Sequence, residues 1–549
     1  MKRVIFCFSI NLALAVSLIA GQEYEPNWES LISAPIPEWV KDAKFGVYTH
    51  WGPYSVPAYE TNTYISDMYA PTYEKSPKGV KEHHEKTYGP VAEVGYKEII
   101  DMFTAPKFDA AEWVGVMEDS GAKFAGICTV HHDGFCLWDS AFTRWDSMDK
   151  GPRRDVFGEI AKEVRKTDMK LLATFHHARS YGYALKSKKS EYTAEQLKTY
   201  DVFDPQYNDL YRDKETVPPE VFGEEWHNKI EEVLAKYDPD MIWFDGLAQS
   251  IDHDVISTER LAGMFADYLN QDKPVTICNK LPAGPRWNFP VGFGLRCYEN
   301  GRDMEADPRG FFLIDRAISY PWTYTNDKNY NLTPEHHIKS FVDLVARGGI
   351  FLISLTPKGD GSIPEQEKVI MKAIGDWLLV NGDGIYGTRP WKIVEEGFGA
   401  EQIRILQPSK KREGAKTARW DYKRLEKTDE IAIRFMKKGN DLYTFVIGEP
   451  EGGTVLIKSL AKGNVERSGK GIKRVSMLGS DASIEWKQTK EGLELTFPDK
   501  LPCEFAYGFK VEVNGKLDQS ERPAPVDGEP RVAEYPIFTP PNWYPASPD

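Results

Sequence analysis

The sequence predicts an α/β fold, a (β/α)8 TIM-like barrel followed by a C-terminal β-sandwich. Three observations carry that expectation: short apolar runs that end in polar residues at a turn, helical patterns between those runs, and a change after Trp391 to short alternating strands. With 549 residues the chain is too long for one ordinary domain. Its formal net charge of -14 argues against a nucleic-acid partner.

The chain opens on Met1-Lys2-Arg3, an apolar run to Ala20, and the small pair Ala20-Gly21. That order of basic, apolar and small residues predicts a signal peptide over residues 1–21, hence a secreted or periplasmic protein with no membrane anchor after cleavage. Cys7 would leave with it. Cys128, Cys136, Cys278, Cys297 and Cys503 remain, an odd set without CxxC spacing, which reads as buried thiols rather than a disulfide framework or zinc site.

The barrel is expected over residues 36–390. Its first strand runs through 44–49 into His50-Trp51-Gly52; a helix at 110–120 leads to a strand at 123–130 that ends in His131-His132-Asp133-Gly134. Another helix, 156–167, precedes a strand at 170–175 ending in His176-His177. Trp226, Ile230, Val233, Leu234 and Tyr237 share one face of a helix over 219–237. The strand after it, Met241 to Phe244, is bounded by Asp238-Pro239 and Asp245-Gly246. Ser257 caps a further helix, and strands are expected at 275–279, 295–299, 317–324 and 349–355. Thr333-Pro334 opens a helix, and a last one spans 365–380. A β-sandwich is expected over 391–515, with a hairpin around Lys438-Gly439-Asn440-Asp441, and a proline-rich tail over 516–549.

Asp245 sits at a strand tip, where a parallel barrel carries its chemistry, although from that segment alone a helix-capping role serves as well. Paired carboxylates at a barrel mouth, with histidines and aromatic rings around them, suit glycoside hydrolysis: one nucleophile or base, one proton donor, and flat surfaces for sugar faces. Metal binding competes for the histidines. Neighbouring strand residues point to opposite faces, however, so His131-His132 and His176-His177 are each expected to offer one inward group, and no HExxH spacing occurs.

Five stretches then carry a resemblance. KFGVYTHWGPYSVPAY, HHDGFCLWDSAFT with GPRRD, MIWFDG, GDGSIP and IGDWLLVNGDGIYGTRPW are similar, in order, to the motifs of the glycoside hydrolase family 29 α-L-fucosidases. The resemblance covers about residues 37–391. It implies a catalytic barrel followed by a β-sandwich, hydrolysis of terminal α-L-fucose with retention through a covalent glycosyl-enzyme, a fucose-containing glycan as partner, and no metal or organic cofactor. Asp245 then matches the nucleophile, and His50, His131 and His132 match sugar-binding histidines. His177 lies near a position often held by tyrosine. Glu299 is the expected acid/base, with Glu305 and Asp315 in reserve, and Trp51, Tyr64, Trp138 and Trp322 complete the expected sugar contacts.

Departures from the family pattern bear on specificity. Asn62-Thr63-Tyr64 stands where the family usually has Glu-Trp-Tyr, Lys280 replaces an arginine after Asn279, and Ser354 replaces an asparagine. A sugar hydroxyl left without its charged partner costs about 1.5–3 kcal/mol, enough to shift preference between fucose and a relative such as L-galactose, and a catalytically weak glycan-binding protein is the other alternative.

Overall fold

The computed structural model describes residues 23–245, 255–280, 293–299, 311–330, 332–396, 431–466 and 468–519. Eight parallel strands close into a barrel in chain order: β1 (Phe45–Thr49), β2 (Phe124–Val130), β3 (Lys170–Phe175), β4 (Met241–Phe244), β5 (Thr276–Lys280), β6 (Leu295–Glu299), β7 (Phe312–Ala317) and β8 (Gly349–Leu355). β8 returns to pair with β1, Phe45 opposite Phe351 and Thr49 opposite Leu355. The strands are buried on both faces, which is why they read as apolar runs rather than as alternation.

Helices cover the outside, and side chains fix where several begin. Asp109 accepts from the backbone of Ala111 and Glu112 to start Ala110–Asp119, Asp155 accepts from Gly158 to start Val156–Val164, and Ser257 accepts from Arg260 to start Thr258–Leu269. Pro219–Tyr237 buries Phe222, Trp226, Ile230, Val233 and Tyr237 toward the sheet. Pro334–Ala346 and Glu365–Asn381 follow.

One strand differs from expectation. The seventh lies at Phe312–Ala317, ahead of the expected 317–324, where the chain bends and Tyr320 is exposed. Asp315 and Arg316 break the apolar run of Phe312-Leu313-Ile314, yet both are buried in the strand. A sequence pattern discounts such charges; the fold accommodates Asp315 because Lys280 Nζ stands 3.3 Å from its carboxylate and Tyr48 and Cys297 donate to it.

Inside the barrel every second strand residue points to the axis. Tyr48, Leu172, Trp243, Cys278, Leu295 and Leu352 belong to this inner core, while the alternating residues join the helices. Continuing the inner rows by one step brings His50, Asp245, Lys280 and Ser354 to the C-terminal mouth, and by two steps His176 and Glu299. β2 is the exception. Its pairing with β3 shifts register between Cys128 and Val130, which breaks the row just before His131-His132.

The second domain packs a five-stranded sheet, order β13-β16-β11-β10-β9, against a three-stranded one, order β12-β15-β14. Its strands are β9 (Arg389–Glu396), β10 (Ala432–Lys438), β11 (Asp441–Ile447), β12 (Thr454–Ile457), β13 (Ile472–Met477), β14 (Glu485–Gln488), β15 (Leu493–Thr496) and β16 (Ala506–Val513). β9 begins the domain at Arg389, and residues just past 515 pack on it, since Trp391 donates to the Asp518 carbonyl. Arg434 of β10, fully buried, pairs with Asp343 on the helix Pro334–Ala346, and Trp377 Nε1 donates to the Ala506 carbonyl at 2.8 Å. All five cysteines from Cys128 onward are free thiols. Residues 1–21 and 520–549 lie outside the described residues.

Candidate active site

Strand tips β1 to β8 converge on one cluster. His50 is flanked by the rings of Trp322, His176 and His131 at 4.8, 5.0 and 5.5 Å between centroids. His131 lies 4.2 Å from His132 and 5.2 Å from His176, and Trp243 underlies His176 at 4.9 Å. Tyr54 and Tyr183 close the sides, 4.6 Å from His131 and 5.0 Å from His132.

The carboxylates stand opposite. Lys280 Nζ is 3.3 Å from Asp245 Oδ1, 3.1 Å from Glu299 Oε2 and 3.3 Å from Asp315 Oδ2, between the faces of Trp322 and Trp243 at 5.1 and 5.4 Å. Asp245 and Glu299 share that ammonium, so their nearest oxygens are no more than about 6.4 Å apart, compatible with the about 5–5.5 Å spacing of a retaining pair. Asp315 is equally near, but its side chain is 0% exposed, whereas that of Glu299 is 32% exposed and can reach a leaving group. Glu299 and Asp315 are cross-strand partners of β6 and β7. Glu305 lies outside the described residues.

Burial alone would raise the Asp245 carboxyl, but Lys280, His176 and His132 outweigh it and hold Asp245 well below the usual carboxylate range. Burial likewise opposes charge on Lys280, and its three carboxylates override it and keep the amine protonated. The histidines go the other way. Burial pushes His50, His131 and His176 well down and His132 down to about 4, so all four are neutral near pH 7.

Neutral imidazoles each offer one donor and one acceptor, which is what sugar hydroxyls require. His132 Nδ1 is 2.7 Å from the His176 carbonyl, which can only accept, so His132 Nε2 is the unprotonated nitrogen and faces Asp245 Oδ2 at 3.4 Å. His50 Nδ1 is set by Ser354 Oγ at 2.8 Å, which gives the serine in place of the family asparagine a positioning role. His131 Nδ1 and His176 Nε2 are buried with no hydrogen-bond partner. At the barrel mouth these open ring nitrogens are free to pair with hydroxyl groups.

Not every expected contact comes to this place. His177 is turned to the outer layer, where its ring stacks on Trp226 at 5.7 Å, because it belongs to the odd row of β3; His176 takes the inner position. Both His131 and His132 reach the cluster rather than one of them, as the register shift in β2 allows. Trp51 packs among Phe103, Phe108 and Trp113 and donates to the Lys358 carbonyl. Trp138, 0% exposed, donates to Glu232 at 2.8 Å, and Tyr64 is buried with its hydroxyl 3.2 Å from His84 Nδ1. These three rings support the loops of the mouth. Trp243 and Lys280 were missed as site residues, and the inner-row pattern is the signal that finds both.

Among the described residues no group of three His, Cys, Asp or Glu side chains is arranged to hold a metal ion. Turnover is therefore expected to be unchanged after dialysis against a strong chelator; loss of activity on chelation with recovery on adding one equivalent of metal would assign the histidines to a metal instead.

Comparison with known proteins agrees with this geometry. A family model described as alpha-L-fucosidase matches residues 12–383, and one described as alpha-L-fucosidase C-terminal domain matches residues 427–512. The chain is 26% identical over 528 residues to an alpha-L-fucosidase of Dictyostelium discoideum, covering 93% of this chain and 99% of that one. It is 28% identical over 508 residues to the tissue alpha-L-fucosidase of Bos taurus, covering 89% and 91%. The crystal structure of Thermotoga maritima alpha-fucosidase in complex with fucose superposes with a TM-score of 0.64 at 25% identity, over 89% of this chain and 100% of that one. With a strand-tip carboxylate pair inside the matched barrel, the chain belongs to the α-L-fucosidase family of glycoside hydrolases.

Proposed function

We propose that the protein removes terminal α-L-fucose from oligo- or polysaccharides with retention, through a covalent glycosyl-enzyme. Asp245 Oδ attacks C1 while Glu299 gives its proton to the departing oxygen. Water then attacks C1 of the ester, its proton passes to Glu299, and Asp245 is released. The observation that carries this reading is the spacing of Asp245 and Glu299 about one ammonium, facing four neutral histidines. The relative crystallised with fucose supports the sugar. The test is NMR of the first-formed product from an aryl α-L-fucoside. α-L-Fucose is expected, and β-L-fucose would refute retention.

A second reading concerns the sugar. Asn62 Nδ2 lies 3.5 Å from His131 Nε2 and carries no charge where the family usually has glutamate. A looser pocket around the non-anomeric hydroxyls would admit L-galactose. Asn62→Ala is expected to cost less than tenfold in kcat/KM on fucoside and L-galactoside, while His50→Ala, which removes a group held by Ser354, costs about 10²-fold or more. Equal losses in both variants on both substrates would make Asn62 as central as the residue it replaced. Wild-type turnover on neither substrate would favour a glycan-binding protein. Residues 1–21 support export to the periplasm or outside the cell, where such glycans occur.

A further inference from the structure

We propose that Arg179 reads an anionic group, a sulfate ester or a carboxylate, carried on the glycan beside the bond that Asp245 attacks. The inference rests on the fucosidase reading of the site and narrows its substrate class.

Arg179 lies in the 3-10 turn His177–Ser180, directly after the tip of β3. Both ends of that turn are fixed to the site. His176 before it touches His50 and His131, Ser180 Oγ lies 3.5 Å from the His131 carbonyl, and Tyr183 beyond it sits against His132. Arg179 is thus carried on the rim of the cluster, near enough for its charge to act on Asp245, His131, His132 and Tyr183.

Its side chain is half-buried, yet it makes no ion pair and no hydrogen bond among the described residues. Four cations nearby have carboxylate partners, while Lys214 instead lies over the Tyr181 ring. Lys186 pairs with Asp67 at 2.5 Å, Arg212 with Glu225 at 2.6 Å, Lys189 with Asp213 at 2.7 Å, and Lys280 with three carboxylates. In a chain with 83 acidic and 69 basic residues, an open guanidinium beside a nucleophile is conspicuous. Asp245 does not serve as its partner, being held by Lys280.

Half-burying a guanidinium forfeits hydration that only a partner restores, and its planar fork suits two oxygens of a sulfate or carboxylate. The same cation answers a second difficulty. Three carboxylates around Lys280 leave this end of the mouth negative, so an anionic glycan would be repelled unless a positive group met it at the rim.

The experiment compares wild type, Arg179→Gln and Arg179→Lys on an aryl α-L-fucoside, its three ring monosulfates, and a disaccharide of fucose α-linked to a uronic acid. Wild type is expected to prefer at least one anionic substrate over its neutral counterpart by tenfold or more in kcat/KM. A preferred monosulfate identifies a sulfate on fucose, and a preferred uronide identifies a carboxylate next to it. Arg179→Gln should reduce that preference to about unity while Arg179→Lys keeps part of it. The proposal is overturned if wild type prefers no anionic substrate, or if Arg179→Gln lowers turnover of neutral and anionic substrates by the same factor. Failure of wild type on the neutral fucoside would count against the fucosidase reading instead. In that event calorimetry of the same ligands on Asp245→Asn, with and without Arg179→Gln, decides the inference by whether the anion-dependent gain in affinity disappears with the guanidinium.

Discussion

Asp245→Ala is expected to lower kcat/KM on an aryl α-L-fucoside by about 10⁴-fold or more, about 5.5 kcal/mol of barrier. The fold should survive, because Lys280 keeps Glu299 and Asp315 as partners when Asp245 goes. Lys280 and the adjacent histidines hold Asp245 ionised far below neutral pH, so the acid limb of the wild-type rate profile belongs to other groups. Azide entering the vacated space attacks C1 in a single displacement and should restore turnover with β-L-fucosyl azide as product. Near-wild-type turnover, or failure of circular dichroism to match wild type, would remove the assignment.

Glu299→Ala is expected to cost about 10²–10⁴-fold on natural glycan leaving groups, which need a proton to depart, and far less on an activated aryl leaving group. Here azide intercepts the glycosyl-enzyme, a second displacement, and the product is α-L-fucosyl azide. The stereochemistry of the azide thereby separates the two roles. Asp315→Asn tests the neighbouring candidate. Asp315 is fully buried and receives Tyr48 and Cys297, so its loss should lower thermal stability and show no azide rescue. A rescued Asp315→Asn beside an active Glu299→Ala would exchange their roles.

The barrel was legible because its strands are apolar runs ended by glycine or polar residues, and because Asp109, Asp155 and Ser257 announce their helices. The seventh strand was not, since Asp315 and Arg316 are buried by partners far away in sequence. In the site the difficulty was parity. A pair such as His176-His177 names two candidates, and only the inner row through Leu172 says which one faces the axis. That rule also leads to Lys280, but it gives no guide at His131-His132, where β2 slips its register. Large aromatics misled for another reason: Trp51 and Trp138 sit in motifs near the mouth, and composition does not distinguish a ring that touches sugar from one that holds a loop.

The change of texture at Trp391 marks where strand pattern changes, and it is not a place where the molecule could be cut. Ala432, Met436, Tyr443, Phe445 and Ala506 of the second domain belong to the same apolar cluster as Phe341 and Trp377 of the barrel's outer helices. Arg434 is buried there against Asp343, so separating the halves would break that buried ion pair as well as bare the aromatic face. The sandwich is in this sense the missing outer wall of the last barrel helices. A barrel shortened to residues 36–390 would inherit an aggregation-prone surface, and variation in the sandwich is constrained along this face by the stability of the domain that carries the active site.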